Sequence, residues 1–424
     1  MALQALRGTT DLLASELRRW DALEQTVGEL ASRYGYQKIQ TPIIEESALF
    51  LRTVGETSNI VQKEMFAFQD RGGRTIVLRP EGTSAIVRAY LEHHLHKTQG
   101  QVKFFYSGPM FRAERPQAGR LRQFHQFGAE AIGSYSPWVD AEAIALCLES
   151  LKACGLPDST LLLSSMGCRA DQAKSAERLR QRLAPHRATL CEDCQSRFEK
   201  NVFRLLDCKR PACRELVWSE PGSPFLLCQD CQQHYDQVRQ ALTAIGIPFD
   251  ESQVFARGLD YYTQTVFEIR SSRLGAQDAV GAGGRYNHLV EELGGPPTGA
   301  VGFAVGIERL LMAVGTDGQT ASPDHVREGL YVAIASPTVQ SEAFRLVQRL
   351  RQHGIGTVTD YEGRSLKAQL READKSGCRW VAVLGEQEIT SGTLTVKDLA
   401  DSSQWTVALT DFVEAMGQHA SARG

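Results

Sequence analysis

Between Met110 and Gly133 the chain reads MFRAERPQAGRLRQFHQFGAEAIG, with Arg112, Arg115, Arg120 and Arg122 leading to Gln126 and Glu130. Arginine's planar fork suits two-point binding of phosphate. Read as two strands flanking an Arg-rich connection, the segment places Gln126, Gly128, Glu130 and Ile132 on one face, because side chains alternate along a strand. Gln126 and Glu130 then stand about 13 Å apart, at about 3.3 Å per residue. Gly128 lies between them, and glycine inside a strand marks close approach by a ligand or by another backbone. Such a surface could hold a polyanion beside a small cation. A solvated hairpin with charged tips fits the same spacing.

Other segments offer partners for such a site. In LRPEGT, Glu81 and Thr83 fall at a strand-to-helix junction, where a carboxylate either complements the helix macrodipole or binds an ammonium group. In ARGLDYYTQTVFEI, Arg257 precedes the adjacent Tyr261 and Tyr262. In a strand these tyrosines face opposite sides, one toward the core and one toward a pocket. GAGGRYN (281–287) fits neither a dinucleotide-binding fingerprint nor a P-loop, and reads as close backbone approach beside a ligand. In VGFAVGIERL, Gly302 and Gly306 share a strand face that could floor a planar ring. Arg309 follows near a helix start, available to a phosphate or to an ion pair beside Glu308.

Six of the 10 cysteines lie between Cys191 and Cys231. The pairs Cys191-x-x-Cys194 and Cys228-x-x-Cys231 suit tetrahedral zinc. Cys208 and Cys213 lie between them, so six candidates compete for four places, and structural zinc and free thiols on helices both remain open. His93, His94 and His96 read as a solvated helix end, where cations complement the dipole.

These residues need elements to position them. Leu17, Trp20, Leu23, Val27, Leu30 and Tyr34 recur at helical spacing over 15–34, and Gly35 follows as a stop. YQKIQTP reads as a short strand, RTIVLRPEGTSAIVRAYLEHH as strand, turn and helix, and a further helix is expected at about 138–154. Residues of about 168–240 read as a polar, cysteine-rich, mostly helical insertion. Strand patterns return at FEI and DAVGAGGRY, and GFAVGIERLLMAV runs from strand into helix. After a linker-like GTDGQTASPDHVREG the texture changes to alternating strands and helices. The expected fold is α+β: residues 1–325 form one domain carrying the insertion, and 329–424 form a small α/β domain. With 42% hydrophobic and 23% charged residues the composition is that of an ordinary soluble protein. No apolar run is long enough to cross a membrane, and the start reads as no export signal. A net charge of −3 leaves nucleic-acid binding to a local basic patch.

Taken together, the motifs resemble those of bacterial-type histidyl-tRNA synthetases, class II aminoacyl-tRNA synthetases, over essentially the whole chain. YGYQKIQTPIIEESALF looks like motif 1, with Pro42 at a dimer interface. FRAERPQAGRLRQFHQFGAEAIG looks like motif 2 and GFAVGIERL like motif 3, while RGLDYYT and GAGGRYN resemble the two histidine-specific motifs. Asn59 stands where the family more often has Asp. The resemblance implies a class II antiparallel sheet flanked by helices and a C-terminal anticodon-binding domain. It implies that Glu81, Thr83 and Gln126 hold the histidine α-ammonium, with Glu130 and Tyr262 reading the imidazole beside Tyr261. Arg112 and Arg309 would bind ATP, with Arg257 between the histidine carboxylate and the α-phosphate. Arg115, Arg120 and Arg122 would meet the acceptor end of tRNA(His). Mg²⁺, a homodimer and a cytoplasmic location are also implied. The rival readings are a non-catalytic regulatory subunit of ATP phosphoribosyltransferase, disfavoured by the C-terminal domain and the intact RGLDYYT, and an RNA-binding or histidine-sensing module without turnover.

Overall fold

The computed structural model describes residues 3–55, 58–116, 119–206, 208–219, 223–251, 259–275, 278–315 and 327–421. The chain divides into two units, Met1–Thr320 and Ala321–Gly424. The heptad-like apolar spacing near the N-terminus becomes helix α1 (Ala14–Arg33), which buries Trp20, Leu23, Val27 and Ala31 and leaves Leu17 exposed. Gly35 follows with φ +79, a conformation that only glycine adopts without strain.

Among the described residues the first unit is built on eight strands in one sheet. They are β1 (Gln37–Lys38), β2 (Val102–Phe111), β3 (Gln123–Ile132), β4 (Thr160–Ser165), β5 (Asp250–Glu251), β6 (Thr263–Arg270), β7 (Ala279–Arg285) and β8 (Ala300–Gly306). Their spatial order is β1-β2-β3-β8-β7-β6-β4-β5. Only the two outermost pairs run parallel. Alternation decides the two faces. Phe105, Phe127, Ala129, Ala131, Val301, Phe303 and Val305 point to a core closed by α1, Pro137–Ala153 (α2), Gln229–Ala244 (α3) and Ile307–Val314 (α4). Tyr106, Gln126, Gly128, Glu130 and Gly302 lie on the alternate positions. That second face is roofed in part by helix Thr83–Glu92, whose Ile86, Val87 and Tyr90 join Tyr106, Met110, Tyr261 and Tyr286.

A buried ion pair locks α2 to the sheet. Arg285 Nη2 lies 2.6 Å from Asp140 Oδ1, and neither side chain is exposed. Arg285 also donates to the carbonyls of Ser134 and Ser136. Asp140 accepts from Thr265 Oγ1 at 2.9 Å, and its Oδ2 lies 2.6 Å from His234 Nε2 on α3. The arginine of GAGGRYN therefore serves the fold, not a ligand.

The inserted segment is helical as expected, with helices Arg169–Leu183, Glu192–Lys200 and Pro211–Val217 around a small apolar cluster of its own. Its expected end is different. Helix α3 covers the last part of 168–240, yet Tyr235, Val238, Ala241 and Leu242 belong to the main core. This placement also divides the cysteines. Among the described residues, Cys191, Cys194, Cys208 and Cys213 form one cluster, and Cys168, Asp171, Cys228 and Cys231 form another. Cys191, Cys194, Cys228 and Cys231 are thus not a single ligand set. Each CxxC opens a different helix, with Cys191 and Cys228 as the N-caps, and the two helices start in different parts of the insertion.

In the second unit a sheet has the order Thr357–Thr359, Leu330–Ile334, Trp380–Leu384, Thr393–Asp398, Gln404–Ala408. The first three strands are parallel and the last two antiparallel. Helices Gln340–Gln352 and Phe412–Ser421 pack on one core, and Ala373 of Leu366–Lys375 on another. The strand Gln404–Ala408 escapes the sequence reading, because its burial alternates only weakly.

Candidate active site

The hairpin of β2 and β3 opens onto a cleft of ≈ 260 Å³. Its lining includes Glu81, Thr83, Tyr106, Arg112, Gln126, Glu130, Tyr261 and Tyr262, with Gly281, Tyr286, Gly302 and Gly306 opposite. Residues from five separate stretches of sequence therefore meet at one place.

Glu130 forms the floor and is fully buried. Thr83 Oγ1 donates to its Oε1 at 2.6 Å, and the Tyr286 hydroxyl donates to its Oε2 at 2.5 Å. Burial pushes its carboxyl up to about 8, against the lowering effect of those two hydrogen bonds, and Glu81 adds to the rise. Burial also raises the Tyr106, Tyr261 and Tyr286 phenols, so all three remain protonated donors at neutral pH. Gly302 stands directly opposite Glu130, and a Cβ there would lie 1.8 Å from Glu130 Oε2. The glycine face of β8 thus makes room for a carboxylate.

Glu81 fulfils the helix-terminal reading. Its carboxylate accepts the backbone N–H groups of Thr83 at 2.7 Å and Ser84 at 2.9 Å, the free donors of the helix start. Each carboxylate oxygen keeps a lone pair for a further donor. Gln126 Oε1 and the Tyr106 hydroxyl are buried and, among the described residues, find no partner.

Of the two readings of Gly128, the structure takes close approach by another backbone, not space for a ligand. A Cβ there would lie 2.3 Å from the Phe303 carbonyl oxygen and 2.6 Å from the Tyr106 ring, which crosses from the paired strand. Tyr261 and Tyr262 do not face opposite sides, because they precede β6 in a turn. Both line the cleft, with ring centres 4.8 Å apart and edge to face.

At the outer end, Arg112 Nε donates to the Pro80 carbonyl at 3.0 Å, and its guanidinium lies 5.2 Å over the Phe124 ring. This holds the fork without using its terminal nitrogens. Arg309 Nε donates to the Ala279 carbonyl at 2.7 Å, at the rim. Glu308 is engaged elsewhere: it accepts the His125 backbone N–H and lies 2.9 Å from His125 Nδ1. In the connection, Arg115 is exposed, Arg120 pairs with Glu114 at 3.2 Å, and Arg122 Nε donates to the Glu114 carbonyl. Arg257 lies outside the described residues. Tyr106 and Tyr286 were missed by the sequence reading. Tyr106 sits in an apolar run, VKFFYSG, and only the pairing register with Gly128 reveals it.

The cleft can thus receive a donor-rich small molecule at its floor and an anion at its arginine end. Two family profiles match the chain's two units in turn. The family profile "Histidyl-tRNA synthetase" matches residues 8–193 and 223–310, and "Anticodon binding domain" matches 330–419. A histidine–tRNA ligase of Desulforamulus reducens is 45% identical over 407 residues, covering 96% of this chain and 97% of that one. One from Moorella thermoacetica is 47% identical over 408 residues, 96% of each chain. The apo histidyl-tRNA synthetase of S. aureus superposes with a TM-score of 0.81 at 34% identity, over 98% of this chain and 100% of that one. Motif order, cleft and full-length likeness agree: this chain belongs to the histidyl-tRNA synthetase family, within the ATP-dependent aminoacyl-tRNA ligases.

Proposed function

We propose that the cleft activates L-histidine with ATP and passes the histidyl group to the 3′-terminal ribose of tRNA(His). The observation that carries this reading is Glu130, a buried carboxyl with a raised pKa at the bottom of a cleft lined by Arg112, with Arg309 bonded to the lining residue Ala279. A buried acceptor of this kind favours a side chain that brings its own N–H donors, as imidazole does. A site built on such hydrogen bonds rejects analogues that lack them. Glu130 and Tyr262 read the imidazole, with Tyr261 packed beside them. Glu81, Thr83 and Gln126 hold the α-ammonium, and the unpartnered Gln126 Oε1 supports that assignment.

The histidine carboxylate is already ionised near neutral pH, so the first step needs alignment and charge neutralisation more than a base. It attacks the α-phosphorus in line, and pyrophosphate leaves. Arg112 and Arg257 meet the α-phosphate, and Arg309 the γ-phosphate. Mg²⁺ bound with the nucleotide would add charge neutralisation at the phosphate oxygens to that of these arginines. Glu81, oriented by backbone N–H groups, and Glu130, oriented by two hydroxyls, face the histidine rather than the metal. The adenine lies on the sheet near Arg112 and Arg309. Arg115, Arg120 and Arg122 face the acceptor end, and the second unit reads the anticodon. We place the protein in the cytoplasm as a homodimer paired through the segment around Pro42.

Histidine-dependent ATP–pyrophosphate exchange tests the first step, and charging of tRNA(His) the second. Arg257→Ala should slow exchange by about 10²–10³-fold with the fold intact, the scale of losing one charge-stabilising group. Near-wild-type exchange in that variant rejects its role. No exchange by the unmodified chain rejects histidine activation.

A further inference from the structure

We propose that the inserted segment holds two structural zinc ions, one bound by Cys191, Cys194, Cys208 and Cys213 and the other by Cys168, Asp171, Cys228 and Cys231. Within each set one ligand atom per residue lies within 4.8 Å of all the others. Four thiolates at about 2.3 Å from a tetrahedral zinc stand about 3.8 Å apart, so each cluster needs only a small contraction. Cys191 and Cys208 are already at 4.0 Å between sulfurs. All ten cysteines are unbridged, and a sulfur separation of that size is twice a disulfide bond.

The surroundings suit metal-bound sulfur. The Cys191 backbone N–H donates to Cys213 Sγ at 3.3 Å, and Gln264 Nε2 lies 3.9 Å from Cys231 Sγ. Hydrogen bonds of this kind orient ligands and relieve their charge. Each CxxC begins a helix, so the positive helix end also faces the sulfurs. Thiolate-rich tetrahedral donors select zinc over hard cations.

The two ions have different mechanical tasks. The all-cysteine site lies within the insertion's own lobe, whose apolar cluster is too small to be a strong core alone. It brackets the segment carrying Arg204, whose Nη2 lies 2.6 Å from Asp260 Oδ1. The second site joins the chain's exit from the sheet at Cys168 to its return at Cys228. It anchors the helix whose Gln172 Nε2 donates to the Tyr262 carbonyl at 3.0 Å. Both therefore fasten elements that touch the 260–262 segment from outside the cleft.

The test is metal content of the full-length chain, produced with zinc in the medium and purified without chelators. Native mass spectrometry and elemental analysis should give two zinc ions per chain. Cys208→Ser and Asp171→Ala should each leave one, and the double variant none. If a variant fails to fold, stepwise release from the unmodified chain replaces it: thiol-blocking reagent should liberate two equivalents of zinc to a colorimetric chelator. Zinc-free protein with free or disulfide-bonded cysteines overturns the proposal. One ion per chain overturns whichever site's variant leaves the content unchanged. Iron with acid-labile sulfide overturns the assignment to zinc.

Discussion

Glu130 binds a proton in the folded chain that it releases when unfolded. Its carboxyl moves from 4.5 to about 8 through burial. Between those values the folded state holds more protons than the unfolded one, so stability falls as pH rises. Glu130→Gln removes this titration while keeping a similar shape. Melting curves of the two proteins should therefore diverge in favour of the variant from about pH 5 to about pH 8 and run parallel above. A constant difference across that range would mean that Glu130 titrates as an ordinary carboxyl. The same variant should lose about 100-fold in kcat/KM for histidine in pyrophosphate exchange, because the acceptor for the imidazole is weakened. Unchanged kcat/KM for histidine would remove Glu130 from the specificity pocket.

Elements set how rigidly these side chains are presented. The hairpin of β2 and β3 is close-packed at Gly128, where an added methyl meets a backbone carbonyl at 2.3 Å and an aromatic ring at 2.6 Å. A backbone oxygen in mid-sheet has nowhere to go. Gly128→Ala should cost about 1–3 kcal/mol or more in urea unfolding, as overpacking does, and a neutral result would show that the strands can part there. The Arg285–Asp140 pair is the second restraint. Removing Arg285 leaves the Asp140 carboxylate buried, with Thr265 and His234 as its remaining side-chain partners. Arg285→Met should lower stability by about 3–5 kcal/mol, far more than loss of an exposed ion pair. A loss under about 1 kcal/mol would show that α2 is held by its apolar contacts alone.

At the scale of the molecule, the two units have separate cores, one centred on the eight-stranded sheet and one on the sheet of 330–408. Calorimetry of the full chain should then resolve two unfolding transitions, since cooperativity follows shared cores. Stripping the zinc proposed for the insertion should lower only the transition of the first unit, because neither cysteine cluster lies in the second. A single transition that shifts as a whole on chelation would mean that the units unfold together. Among the described residues no helix is long and apolar enough to cross a membrane.

The order of motifs along the chain, the alternation that puts Gln126 and Glu130 on one face, and the helical spacing of α1 were all legible in the sequence. They depend on neighbours within a few residues, which periodicity encodes directly. The tertiary structure decided what occupies each face. Gly128 read as close approach by a ligand or another backbone and Gly302 as part of a floor for a planar ring, and strand register sets Gly128 against Tyr106 and the Phe303 carbonyl and Gly302 against Glu130. Glu308, adjacent to Arg309 in the chain, turns to His125. The cysteines divide four and three because the ends of the insertion return to the sheet while its middle folds apart. Contacts between residues far apart in the chain are set by how whole elements pack. Local spacing carries no record of that packing, whereas the motifs quoted from Met110 to Gly133 carry the chemistry itself.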